Sequence, residues 1–172
     1  MSERPTDAAR TSLFGVLERL AVHYIVIGGA AAEARGWRGR TLDVDVVPAS
    51  DPQNLDRLAS ALNELDARMA GVSDAPDGLR VPGGFDRRLL ASSTVWNLTT
   101  AHGPLDITFK PSGTDGYEDL ARQATRLQIP GAAQPVLVAS SKDIIRSKTA
   151  AGRAKDLAVL PALRAELDGG KE

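Results

Sequence analysis

Apolar residues recur at Leu13, Val16, Leu17 and Leu20. Spacings of three and four predict a helix over 10–21. Tyr24 to Ile27 is a short β-rich run that stops at Gly28-Gly29, and small residues from Ala30 to Ala34 favour helix after it. The pattern therefore predicts strand, glycine turn, short helix. A basic loop over 36–40 leads into Thr41 to Val47, a second predicted strand closed by Pro48. Asp51-Pro52 opens a helix, with Asp as cap and Pro at the first helical position. Its stripe is Leu55, Leu58, Leu62 and Leu65.

Residues 71–84 are rich in Gly, Pro and Asp and predict turns around a short strand at 79–81. Residues 94–100 and 104–110 predict two strands joined as a hairpin through Ala101-His102-Gly103. A turn over 111–116 precedes a helix over 117–123, then short strands at 127–129 and 136–138. Ser140-Ser141-Lys142-Asp143 reads as a capping box before an apolar stripe. Gly152 ends that helix, and a further one over 153–167 is expected to kink at Pro161. The mixture of strands and helices indicates an α/β or α+β class. No linker divides the 172 residues, so one domain over 1–172 is expected, with a loose N-terminus at 1–9 and C-terminal helices over 140–168.

Composition narrows the function classes. Hydrophobic residues make up 42% and charged residues 25%, as in ordinary globular proteins. There is no cysteine, which removes disulfides and thiolate metal sites and suits a reducing cytoplasm. The opening residues lack the apolar core of a signal peptide, and no apolar run approaches the roughly 20 residues that span a bilayer. The expectation is a cytoplasmic protein with no membrane partner. Lysine and arginine number 21 against 22 acids, so the net charge is −1 and any polyanion must be met by a local patch.

The acids carry the candidate chemistry. Asp43 and Asp45 sit two apart in a predicted strand, so both carboxylates face one side while Val44 and Val46 face the other. Asp106 alternates in the same way with Leu105 and Ile107. Aspartate is disfavoured inside strands, so three such residues want a common reason. Three converging carboxylates can hold the hard divalent cations of a phosphoryl transfer, Mg²⁺ or Mn²⁺. Read singly, each is an outward residue of a half-exposed strand.

Gly28-Gly29 lets backbone approach a phosphate, and a following helix adds partial positive charge. Basic residues gather at Arg35, Arg38 and Arg40, and again at Arg146, Lys148, Arg153 and Lys155. Most of these fit a solvated helix face. Lys148 differs, because it lies on the apolar stripe with Ile144, Ile145 and Ala151. His23 and His102 lack metal-ligand spacing, and Trp37 and Trp96 read as packing residues.

Together these segments resemble a known family. VIGGAAAEARGWRGRTLDVDVV resembles the first motif of the minimal nucleotidyltransferases, and its GG-x-A and R-x-T-x-D-x-D form resembles the AbiEii/MenT-type nucleotidyltransferase toxins. SKDIIRSKTAAGRAKDLAVL resembles that group's C-terminal motif. The resemblance covers about residues 22–48, 104–110 and 140–160. It implies a nucleotidyltransferase-like fold, a mixed central sheet flanked by helices. It implies Asp43, Asp45 and Asp106 as metal ligands and catalytic residues, with Asp106 able to help deprotonate the acceptor hydroxyl. Gly28, Gly29, Arg40, Thr41, Arg153 and Asp156 would bind the nucleotide, and Lys148 would contact its phosphates and take part in catalysis. Gly29 replaces a serine common in the wider superfamily, which removes one hydroxyl from the triphosphate.

The function so implied is metal-dependent transfer of a nucleotide from an NTP to the 3′ end of tRNA. The protein would be a toxin held by a cognate antitoxin. Transfer to a protein or to a small antibiotic-type molecule is the alternative enzyme reading. A catalytically silent fold acting as a binding partner or antitoxin is the third, and the intact three aspartates oppose it.

Overall fold

The computed structural model describes residues 5–72 and 74–169. Helix α1 (Pro5–Arg19) leads into β1 (Tyr24–Ile27), α2 (Gly28–Ala34), β2 (Val44–Pro48) and α3 (Pro52–Glu64). β3 (Arg68–Met69), α4 (Arg87–Ala91), β4 (Val95–Thr100), β5 (Gly103–Thr108) and α5 (Tyr117–Ala121) follow. The chain closes with β6 (Thr125–Leu127), β7 (Val136–Val138), α6 (Ser141–Ala151), α7 (Ala154–Leu157) and α8 (Leu160–Asp168). The strands form one sheet in the order β3-β4-β5-β2-β1-β7-β6. It is mixed: β1 runs parallel to β7 and β2 parallel to β5, and the other neighbours are antiparallel. The expected class, a mixed sheet flanked by helices, holds.

Side-chain parity decides the rest. Val44, Val46, Leu105, Ile107, Trp96 and Leu98 are all buried. The registers Val46↔Ile107 and Val26↔Val46 align them on one face of the sheet. Helix α1 covers that face, with Phe14 stacked on Tyr24 at 6.4 Å. Period-2 alternation then puts Asp45 and Asp106 on the opposite face. Burying the valines and leucines is what turns the aspartates outward into a cleft.

Several boundaries depart from the pattern. Residues 5–9 are not loose but open α1, with Pro5 first and Asp7 in the first turn; residues 1–4 lie outside the described ones. β2 begins at Val44 rather than Thr41, because β1 turns into α2 after Ile27 and leaves residues 41–43 without a β1 partner. Pro48 is the last residue of β2 and pairs with Tyr24, a strand end where a missing N–H is tolerated. β3 and α4 carry no clear apolar period and were not anticipated. β6 lies two residues earlier than expected, since its register with β7 pairs Thr125 with Val138. The single kinked C-terminal helix is two, α7 and α8. Pro161 cannot donate a hydrogen bond and its ring clashes with the carbonyl four residues back, so the helix breaks at 158–159.

Candidate active site

Asp45 on β2 and Asp106 on β5 are register partners on adjacent parallel strands. Such strands lie about 4.8 Å apart, so the two carboxylates stand side by side. Asp43 joins them two residues ahead of Asp45. Burial first, and then the charges of Asp106 and Asp43, raise the Asp45 carboxyl from its ordinary 3.8 to about 6, against Lys148 and Lys155. Asp106 is also raised, by burial first and then by Asp43. Two buried acids with raised pKa values, beside a third carboxylate, mark a place where a cation would be welcome.

The glycines are fitted to these acids. Gly28 has φ +68°, and a Cβ there would lie 2.3 Å from Asp45 Oδ2. A Cβ on Gly29 would lie 2.7 Å from the Thr41 Cβ. Any side chain at either position would push into the carboxylate or the threonine.

From the other side come α6 and α7. Ser140 caps α6, accepting the Asp143 N–H at 3.1 Å. Gly152, at φ +67°, ends the helix in the left-handed conformation. That turn carries Arg153 and Asp156 back toward Lys148. Asp156 is 2% exposed and accepts from Lys148 Nζ at 3.4 Å and from Arg153 Nε at 2.5 Å. Burial alone would raise its carboxyl, but the Arg153 hydrogen bond and the two cations outweigh it, so it is lowered. Lys148 thus sits on the apolar stripe because a buried carboxylate holds it there, with its side chain 13% exposed.

Gly28, Gly29, Arg40, Thr41 and the three aspartates 43, 45 and 106 line one cleft of about 810 Å³. Lys148, Arg153 and Asp156 line it too, so all ten residues singled out in the sequence meet there. The other basic residues part company. Arg35 is 5% exposed and donates to Thr125 Oγ1 and to the Val138 and Ala139 carbonyls, so it belongs to the scaffold. Arg146 pairs with Asp119 and Asp143, as a solvated helix face would have it. Trp96 is buried and donates to the Leu90 carbonyl, in keeping with packing. Trp37 likewise packs half-buried against the core, and it also lines the cleft.

Two further polar residues of the cleft, Lys155 and Asn97, have places that the sequence does not assign to the site. Lys155 lines the cleft and opposes the raised pKa values of both Asp45 and Asp106; its signal was membership of the second basic cluster. Asn97 is the β4 register partner of Asp106, extending the row Asp45–Asp106–Asn97 across three strands. Only the strand order reveals that.

The donor set suits a hard cation: three carboxylates close together, with the charge of Asp43 raising both Asp45 and Asp106. Among the described residues, no three His, Cys, Asp or Glu side chains close on one point as a ready-made ion cage. Mg²⁺ is ordinarily held by one or two carboxylates together with phosphate oxygens and water rather than by a full protein cage, so the aspartates still fit.

No protein-family model matches the chain, and no curated protein matches its sequence. Among solved structures, the fold is similar to that of the antibiotic-resistance factor ANT(2'')-Ia. The TM-score is 0.59, with 14% identity over 94% of this chain and 83% of that one. The chain has a nucleotidyltransferase fold. A nucleotidyltransferase-like antigenic protein from Paracoccidioides brasiliensis aligns at a TM-score of 0.49 and 19% identity, over 95% of this chain and 77% of its own. The likeness is to the fold at large and does not single out the toxin group that the motifs resemble. Among the described residues, no helix is long and apolar enough to cross a membrane.

Proposed function

We propose that this cleft transfers a nucleotidyl group from an NTP to a hydroxyl acceptor, with Mg²⁺ or Mn²⁺ bound by Asp43, Asp45 and Asp106. The observation that carries the reading is the in-register pair Asp45–Asp106, with Asp43 beside it, facing Lys148 and Lys155 across one cleft. Acids alone would suit any cation. Acids opposed by lysine and arginine suit a metal–triphosphate, which offers both charges at once.

The acceptor oxygen forms its bond to the α-phosphorus, the bond from that phosphorus to the bridging oxygen breaks, and pyrophosphate leaves. Asp106, on the strand beside the Asp43–Asp45 pair, is the residue to receive the hydroxyl proton. Lys148 and Arg153 bind the phosphates. Asp156 fixes Lys148 and Arg153 in place. Gly28 and Gly29 keep the floor open beside Asp45 and Thr41. A bound divalent cation supplies charge neutralisation on the reacting and leaving phosphate oxygens.

The acceptor we test first is the 3′ end of tRNA, as in the toxin group, where a cognate antitoxin would control the protein in the cytoplasm. Arg40, exposed on the cleft wall with the exposed Arg38 two residues before it, supports it. A small antibiotic-type acceptor is the second reading. It is favoured by the likeness to ANT(2'')-Ia and by the use of Arg35 and Arg146 as scaffold, which thins the surface available to RNA.

The test is to incubate the protein with Mg²⁺, each labelled NTP in turn, and either total tRNA or an amino-sugar antibiotic. Asp43→Ala/Asp45→Ala is the control. Label on RNA, lost in the control, supports the first acceptor; label on the antibiotic alone replaces it with the second. Transfer to neither, with no binding of Mn²⁺, would overturn the enzyme reading in favour of a silent binding fold.

A further inference from the structure

Arg10 lies in α1, outside every segment that carries the catalytic motifs, yet it is 6% exposed. A buried arginine is costly unless its charge and its donors are met. Here Nη2 donates to the Thr41 carbonyl at 2.6 Å, across 31 residues of chain, and Nη1 lies 3.6 Å from Glu33 Oε2. Glu33, on α2, accepts the Thr41 N–H at 2.7 Å through its other oxygen. Thr41 Oγ1 in turn accepts the Asp43 N–H at 3.2 Å.

Both backbone groups of Thr41 are therefore satisfied by side chains. In a strand they would be met by neighbouring strands. This segment has left the ladder, since β2 begins only at Val44. What fixes the backbone just before the Asp43–Asp45 pair is a relay from α1 through α2. The Arg10 end is itself pinned. Gly131, at φ +93°, leaves a Cβ no room against the Arg10 Cβ at 2.5 Å. Arg10 Nε meanwhile has no partner. A role in packing alone would be met better by an apolar residue of similar volume, because replacing a buried ion pair in that way is often neutral or stabilising.

We propose that Arg10 and Glu33 are positioning residues that hold the turn Thr41–Asp43, and through it the Asp43 carboxylate, at the cleft. Neither touches the reacting atoms. The proposal rests on reading Asp43 as a cation-binding carboxylate, but the turn's rigidity can be measured independently of that reading.

The experiment uses the full chain with Arg10→Met, Arg10→Lys and Glu33→Gln. The readouts are amide hydrogen exchange by NMR and titration with Mn²⁺ alone. In Arg10→Met, exchange at the Thr41 and Asp43 amides is expected to rise roughly tenfold or more, while Leu105 and Ile107 on β5 keep their protection. Mn²⁺ binding is expected to weaken about 10- to 100-fold, as for loss of a residue that orients a ligand. Arg10→Lys, which keeps the charge but not the fork, should recover part of both. Glu33→Gln keeps the shape and can still accept from Thr41, so its effect should lie between wild type and Arg10→Met; it also serves should Arg10→Met not fold. Unchanged exchange at 41 and 43 in a folded variant would overturn the proposal, and so would a rise shared equally by β5. Failure of the wild type to bind Mn²⁺ would instead sink the cation reading, leaving exchange to decide the relay.

Discussion

Asp45 is where the cost of the site is concentrated. Its carboxyl is raised from 3.8 to about 6, by burial first and then by Asp106 and Asp43. A folded-state pKa raised above the unfolded value means that folding favours the protonated form. The contribution to stability is then fully present below about pH 4 and is lost as pH rises through about 6. Asp106 shifts in the same direction and adds to the loss. Asp156 is lowered, so its contribution is lost only as pH falls, outside this window. The metal-free protein is therefore expected to lose on the order of 2 kcal/mol between pH 4 and 7 from Asp45 alone. Urea midpoints across that range should fall. They should flatten in Asp45→Asn, which carries no titrating charge there, and recover at pH 7 when Mn²⁺ is added. Midpoints that climb steadily from pH 5 to 7 in the metal-free wild type would contradict this account of the site.

Glycines show how far an element's needs can be separated from the site's. Gly15 lies in α1, exposed, with no positive φ and nothing within 4 Å of a built Cβ. Gly15→Ala removes a helix-interior penalty and should stabilise the protein by about 0.5–1 kcal/mol, read as a higher melting temperature with unchanged transfer. Gly28→Ala is the opposite case. The new methyl meets Asp45 Oδ2 at a conformation that L-residues rarely adopt, so Mn²⁺ binding and transfer should fall at least tenfold. Equal behaviour of the two variants would mean that the β1–α2 turn is not fitted to Asp45. The same contrast explains what could be read from sequence. The strand–glycine–helix unit, the outward aspartates and the capped α6 follow from local rules of parity, turn chemistry and capping. β3 and α4 escaped because two and five residues carry too little period. The break between α7 and α8 was visible only as a kink, since Pro161 fixes that something must give but not whether the helix resumes along the same axis. Lys155, Asn97 and the relay from Arg10 escaped for another reason: they act through strand order and through contacts spanning tens of residues, which no local pattern encodes. The assignment of Arg35 to a basic cluster failed in the same way, because adjacency in sequence says nothing of the carbonyls that a side chain will find.

Across the whole molecule, a net charge of −1 leaves little long-range attraction for a polyanion. If the acceptor is tRNA, its binding rests on the few cations at the cleft, since the scaffold takes Arg35 and Arg146 is ion-paired with Asp119 and Asp143. Arg40 and Lys155 line the cleft and are exposed, and Arg38 is exposed two residues before Arg40. Each phosphate contact releases counterions and contributes about 0.7–0.9 to the slope of log K against log salt concentration. Three such cations give an expected slope of about −2 to −3, shallow for an RNA-binding protein. Arg40→Ala should reduce it by about one and weaken all tRNAs alike, because a phosphate contact carries no sequence information. Arg35→Ala should behave differently, lowering the melting temperature by breaking its hydrogen bonds to Thr125, Val138 and Ala139 while leaving the slope near its wild-type value. Filter binding of labelled tRNA over a range of KCl concentrations measures both. A slope unmoved by Arg40→Ala would take RNA away from this mouth of the cleft. The same arginine would then be left to the triphosphate, and the acceptor would have to be something small enough to need no cationic surface.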